Sequence, residues 1–265
     1  MHPILNIVVR ATRKAGNYIA NSLSEHERIE LTQKNIKKLI SEKKAEAIIV
    51  NNIKNSYPEH SIFSEESGFL KGKKKHVCWI IVPISGSKNF EKKLPHFSIS
   101  IAVRIKDRTE FACVYDPIRN ELFTAQRGCG AQLNNTRIRV KEFKKIKGSI
   151  IATGFSFEKQ KYCESYIKTI SSLMINSADL RCTGSSALDL CYLAAGRFDG
   201  YFQLGLKFWQ IAAGELIARE SGAILTDFSG GTKYIESGNL VGSNSGNIKN
   251  ILKHIIHYNN ISLEE

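Results

Sequence analysis

The sequence predicts an α/β protein of layered architecture. Three observations lead there. Two stretches of helical periodicity open the chain, a series of strand-like runs fills its middle, and strands and helices then alternate to the end. At 265 residues the chain suits one large domain or two tightly joined halves, and it can bury a substantial core.

The elements follow in order. Leu5, Val8, Val9, Ala15 and Ile19 recur at helical spacing and predict a helix over 4–22. "SEKKAEAIIVNNIKNSYP" predicts a second helix, with Ser41 as its N-cap and Pro58 as its stop. "HSIFSEESG" reads as a short strand ending in Glu65 and Glu66. "HVCWIIVP" is a continuous apolar run, the pattern of a strand buried on both faces. "FSISIAVRI" and "EFACVYDP" form a hairpin about the polar turn Lys106-Asp107-Arg108. "NELFTAQRG" extends the meander past a turn at Asp116 and Pro117, and "GCGAQLNNTRIRV" adds a Gly-rich bend and one more strand. The character changes near 145–150, a soft boundary between two halves of one body. "GSIIATGF" is an apolar strand, and a helix follows near 159–174. "ADLRC", "SALDLCYLAAG", "FDGYFQL", "WQIAAGELIARESG" and "AILTD" then alternate. "NLVGSN" and a helix near 246–257 close the chain.

Composition narrows the function classes. Hydrophobic residues make up 42% and charged residues 24%, an ordinary globular balance. "MHPILNIVVRATRKAG" does not read as a signal peptide, because Arg10, Arg13 and Lys14 follow its short apolar run. No apolar segment approaches the ~18–20 residues that span a bilayer. A cytoplasmic protein without membrane contact is expected. Cys78, Cys113, Cys129, Cys163, Cys182 and Cys191 form no CxxC pair, so they read as reduced structural thiols rather than zinc ligands or a disulfide framework.

The net charge of +13 fits nucleic acid, an acidic protein or an anionic substrate as partner, and equally drift in a Lys-, Asn- and Ile-rich composition. Lys71, Lys73, Lys74 and Lys75 form one run, and Lys141, Lys144, Lys145 and Lys147 another. Neither run is interleaved with aromatics, as a single-strand binder would be. Nonspecific RNA contact through a Lys-rich surface stays open, with steep salt dependence as its signature.

Three stretches carry the chemistry: "SEESG" at a strand end, "WIIVPISGSKNF" from Trp79 to Phe90, and "GSSALDLCYLAAGRFDGYFQLGLKFWQIAAGEL". Together they resemble the inositol monophosphatase family, and most closely its bacterial SuhB type. The likeness runs from the N-terminus to "NLVGSN". It implies an α-β-α-β-α sandwich in a single inositol-monophosphatase-like domain over 1–265, and a homodimer.

The family's central motif, D-P-[IL]-D-G-T, and its W-D-x-A-A-G supply carboxylates to Mg²⁺. Such ions neutralise a phosphate monoester, activate a bound water and steady the leaving oxygen. The resemblance places the family's Glu ligand at Glu65, its two motif Asp residues at Val82 and Ser85, its Thr at Ser87, and the Asp after Trp at Gln210 beside Trp209. A further Asp falls near Glu42, in a region that is shorter here and lacks the family pattern. A Glu that contacts substrate falls at Gln203, and Gly184, Ser185 and Ser186 match a segment that touches substrate through its backbone.

Three of the four principal metal carboxylates are therefore absent: Val82 offers no ligand atom, while Ser85 and Gln210 offer neutral oxygens. Mg²⁺ prefers anionic oxygens in octahedral array. Glu65, with the Ile84 backbone, is left as a residual candidate for weak Mg²⁺ binding and cannot form a two-metal clamp. No cofactor is expected. Trp79, Ile80, Ile81, Pro83, Gly86, Asn89, Phe90, Trp209, Ala212, Ala213 and Gly214 keep the family frame.

A retained scaffold with lost ligands implies a catalytically silent protein whose role lies on its surface. The SuhB-type resemblance implies a Nus factor that joins NusA and RNA polymerase in the antitermination complex for ribosomal RNA transcription, and so serves ribosome biogenesis. The enzymatic alternative is a weak Mg²⁺-dependent phosphatase of inositol 1-phosphate or another sugar phosphate. Ser85 and Ser87 do not read as nucleophiles, since no His lies near them in sequence and no nucleophile elbow surrounds them. His60 and His96 read as structural, Asp189 and Asp199 as packing and turn residues, and Glu65 and Glu66 as a solvated strand end or as partners for nearby Lys.

Overall fold

Two sheets and three helical layers alternate through the computed structural model, which describes residues 2–25, 34–142, 145–155, 162–176 and 178–258. The first layer is α1 (Pro3–Glu25) and α2 (Lys34–Ser56). Leu5, Val8, Ala15 and Ile19 are buried on α1, while Val9 is half-buried. The second helix starts well before Ser41, which is buried in its interior and caps nothing; the charged residues upstream favour helix strongly enough to extend it. Residues 26–33 lie outside the described residues, as does Lys144 of the second lysine run.

The first sheet holds β1 (His60–Ser64), β2 (Gly68–Leu70), β3 (Lys74–Ser85), β4 (Ser98–Ile105), β5 (Arg108–Asp116), β6 (Glu121–Gln126), β7 (Gly130–Leu133) and β8 (Thr136–Ile138). Its order is β2-β1-β3-β4-β5-β6-β7-β8. Lys106 and Asp107 turn the β4–β5 hairpin with φ of 49° and 62°, the left-handed pair of a type I′ turn. Asn134 and Asn135, at 48° and 67°, do the same between β7 and β8, so the last stretch of the meander gives two strands rather than one. Alternation divides this sheet's side chains. Trp79, Ile81, Ile99, Ile101, Phe111 and Cys113 face α1 and α2, and Ile80, Ala102, Ala112 and Val114 face the next layer.

That central layer is α5 (Ser186–Ala194) and α6 (Phe208–Glu220). Small residues let it sit close: a Cβ on Gly214 would come within 2.9 Å of the Leu190 Cβ, so α5 and α6 pack backbone to backbone. The second sheet holds β9 (Ile150–Gly154), β10 (Asp179–Arg181), β11 (Gly200–Gln203), β12 (Ile224–Thr226) and β13 (Leu240–Ser243), ordered β10-β9-β11-β13-β12. Its outer face is covered by α4 (Cys163–Ile175) and α8 (Ile248–Tyr258), through Tyr166, Leu173, Ile251 and Ile255. The layers thus run α-β-α-β-α, and the chain passes between sheets after Ile138 and before Ile150. Two short helices, α3 (Ser87–Glu91) and α7 (Tyr234–Ser237), complete the described residues. None of the described helices is long and apolar enough to cross a membrane.

Candidate functional site

The end of β3 sets the site. Pro83 has no N–H to give to the ladder, and the β3–β4 register slips by one residue between Val82, opposite Ser100, and Ser85, opposite Ser98. The bulge re-aims the strand end. Gly86 then takes φ 89° as the N-cap of α3, and a Cβ there would crowd the His96 carbonyl at 3.0 Å. Strand end and turn together open a cleft of about 560 Å³ between the two sheets.

Ten of the singled-out residues meet on its walls: Glu65, Val82, Ile84, Ser85, Ser87, Gly184, Ser185, Ser186, Gln203 and Gln210. Glu42, by contrast, is buried on α2 and does not line the cleft. Asn89 ties the two halves together, its Nδ2 donating to the carbonyls of His96 and Thr183, both at 2.8 Å.

The polar side chains at the positions where the resemblance implies metal ligands bond within the protein. Ser85 Oγ lies 3.0 Å from Ser185 Oγ, which also donates to the Ser85 carbonyl at 3.3 Å. The Gln210 amide oxygen accepts the Lys207 N–H at 2.9 Å, capping the start of α6 from its third position. Val82 is buried and purely apolar. Gln203 Oε1 accepts from the Tyr201 hydroxyl at 2.8 Å and packs over Gly154.

Two acids border the cleft. Glu65 is exposed and accepts the Trp209 Nε1–H at 3.1 Å, while its own N–H donates to the Ile81 carbonyl. It is thus a held carboxylate rather than a loose strand end. Asp189 is the larger departure from expectation. It lies on the cleft wall, almost fully buried, with the Thr183 hydroxyl on its Oδ1 at 2.6 Å. Burial pushes its carboxyl up to about 7, against the opposing pull of that hydrogen bond. Asp199 makes a long-range bond instead of a local turn, accepting the N–H of Ile150 at the start of β9 at 2.9 Å.

Lys88 and Lys207 also line the cleft, with Thr153 and Cys182. Burial, then Asp189, pushes the Cys182 thiol up, away from the reactive thiolate. Sequence reading passed over these four. Only Lys88 carried a signal, as the sole charge in the stretch from Trp79 to Asn89. Among the described residues, no three His, Cys, Asp or Glu side chains are grouped to hold a metal ion. His60 is structural in form: its Nδ1 accepts from Trp79 Nε1 at 3.0 Å, its ring stacks on Tyr57, and burial lowers its pKa. His96 packs edge-on against Tyr192, and burial lowers its pKa too.

Comparison with known proteins agrees with this architecture. The model of the inositol monophosphatase family matches residues 1–259. A Vibrio cholerae protein named Nus factor SuhB is 59% identical over 96% of both chains. The Nus factor SuhB of Escherichia coli K12 is 51% identical over the same shares. Among solved structures, extragenic suppressor protein suhB from Bartonella henselae superposes with a TM-score of 0.87 at 31% identity, covering 96% of this chain and 99% of that one. Inositol monophosphatase from Anabaena superposes at 0.85 and 28%, covering 96% of this chain and 95% of that one. With a layered sandwich, a cleft at the expected loop and relatives matched along nearly its whole length, the chain belongs to the inositol monophosphatase family.

Proposed function

We propose that this chain is a Nus factor, a homodimeric scaffold subunit that joins NusA and RNA polymerase in ribosomal RNA antitermination, and that its cleft no longer runs metal-assisted phosphate hydrolysis. Relatives 59% and 51% identical that carry the name Nus factor support the Nus factor role. One observation carries the second part: the cleft is kept, yet Val82, Ser85 and Gln210 stand where the family resemblance implies carboxylates.

The donor set fits a two-metal Mg²⁺ centre poorly. Mg²⁺ needs several hard anionic oxygens. The cleft offers Glu65 at its rim and Asp189 deep in its wall, the latter raised by burial to about 7 and so only partly ionised at pH 7. Gln210 has committed its oxygen to a helix end, and Lys88 and Lys207 add positive charge to the lining. A single hydrated ion on Glu65 and the Ile84 carbonyl is the most these donors support. Function then rests on surface contacts, which need the fold and not the metal.

Purified NusA from the same organism tests this by pull-down at low and moderate salt. Retention at both is expected, and loss at both overturns the reading. The hydrogen bond that holds Glu65 at the cleft favours one second reading, a weak Mg²⁺-dependent sugar-phosphate phosphatase. Phosphate release from inositol 1-phosphate above a Glu65→Ala control would establish it. A flat response across millimolar Mg²⁺ removes it.

A further inference from the structure

The face of the first sheet that carries α6 is not fully covered at its β2 edge. Pairing places Phe69 directly across from Phe63, and Phe63 across from Ile80, so all three point to the α6 side. There Phe63 packs against Trp209 with ring centroids 5.1 Å apart. Phe208, next on the helix, lies beneath the Arg104 guanidinium, 4.8 Å from its ring centroid. Phe63, Phe208 and Trp209 are half-buried, and Phe69 is 59% exposed. The chain leaves this edge directly into Lys71, Lys73, Lys74 and Lys75, all exposed. Lys74 reaches Glu59 at 3.9 Å, whereas Lys71, Lys73 and Lys75 make no ion pair among the described residues. In sequence this lysine run lacks interleaved aromatics; the fold brings Phe63 from β1 and Phe208 and Trp209 from α6 beside Phe69.

We propose that this edge binds single-stranded RNA, with bases stacking on Phe69, Phe63 and Trp209 and phosphates held by Lys71, Lys73 and Lys75. Aromatic faces beside a cationic strip are what a flexible, polyanionic strand with flat bases requires. A planar guanidinium such as Arg104 extends the same stacking surface.

Two other readings of the edge fit less well. An acidic peptide adding as a strand would need a ladder, and β2 spans only three residues. Lysines alone would suffice to protect an edge from aggregation, but an exposed Phe works against that purpose. The inference stands apart from the NusA reading and survives its failure.

The full-length chain provides its own reporter. It has two tryptophans, and Trp79 is fully buried, so quenching by a ligand at this edge reports Trp209. Titration with fluorescein-labelled dodecauridylate should quench Trp209 and raise anisotropy. Binding should weaken with salt, and duplex RNA of the same length should bind more weakly. Phe69→Ala, at an exposed position, should weaken binding roughly tenfold, the loss of one stacked base. Replacing Lys71, Lys73 and Lys75 together by Ala should lower the salt slope by about 2. Unchanged Trp209 emission, duplex binding equal to single strand, Phe69→Ala binding like the parent, or equal quenching by polyglutamate would each overturn the proposal.

Discussion

Val82 near the end of β3 and Asn89 on α3 lie seven residues apart, and they differ in what their side chains do for the cleft. The Asn89 amide spans the cleft's two halves, giving one proton to the His96 carbonyl and one to Thr183. Val82, on the bulged strand end, presents only methyl groups to the same space. The contrast repeats on the far wall. Gly214 is required where α5 and α6 touch, while Gln210, one turn earlier on the same helix, caps its own backbone. Asn89 and Gly214 hold parts of the fold together, whereas the implied metal positions carry an apolar side chain at Val82, a hydroxyl paired with Ser185 at Ser85 and an amide turned to its own helix end at Gln210. Frame and chemistry are separate sets of side chains here, and one can change without the other.

The strongest way to break this separation is to restore the acids. Val82→Asp, Ser85→Asp and Gln210→Asp together would place three carboxylates on the cleft, two of them at buried positions. Without metal, the burial of unpaired charge should cost about 3–5 kcal/mol in urea unfolding. Millimolar Mg²⁺ should return about 2–3 kcal/mol of that to the variant, as for a ligand near a hundredfold above its dissociation constant, and nothing to the parent. Regained hydrolysis of inositol 1-phosphate by the variant would show that the cleft is intact and only its ligands changed.

Asp189 gives the next effect. Its folded carboxyl titrates near 7, above the unfolded value of about 3.9, so the native state holds a proton that the unfolded chain has released. The stability from that proton is complete below about pH 4 and fades as pH rises to about 7. Asp189→Asn should remove this component, leaving the variant relatively more stable than the parent at pH 7 than at pH 4.5. Urea midpoints at the two pH values check the sign.

Asn89→Ala sharpens the frame side. It strips a hydrogen bond from two carbonyls and should cost about 2–3 kcal/mol by thermal or urea unfolding. Ser85→Ala, at an implied metal position, should cost only about 1 kcal/mol, because Ser185 keeps its bond to the Ser85 carbonyl. A Ser85→Ala cost equal to that of Asn89→Ala would erase the distinction.

Legibility followed the range of the interactions involved. Helices with a clear apolar stripe, such as α1, and strands with local turn chemistry, such as the β4–β5 hairpin, were readable because neighbours in sequence decide them. The start of α2 was not: Ser41 has the right chemistry for a cap, but the residues before it continue the helix. The cleft residues were nameable through their motifs, while their bonds were not. Gln210 facing its helix end, Trp209 holding Glu65, and Asp189 buried beside Thr183 each depend on partners set by tertiary packing or local rotamers. A carboxyl near the start of a helix reads as a surface residue until packing shows it enclosed. The aromatic strip beside the first lysine run was invisible for the same reason, since Phe63 and Trp209 meet only in the folded chain.

The central claim, a working surface on a fold that has left its metal chemistry, is met most directly by calorimetric titration of NusA from the same organism into the full-length chain, with EDTA present and no divalent cation. Saturable binding, unchanged when millimolar Mg²⁺ replaces EDTA, is the predicted result. Absence of binding, or binding that appears only with Mg²⁺, would contradict it.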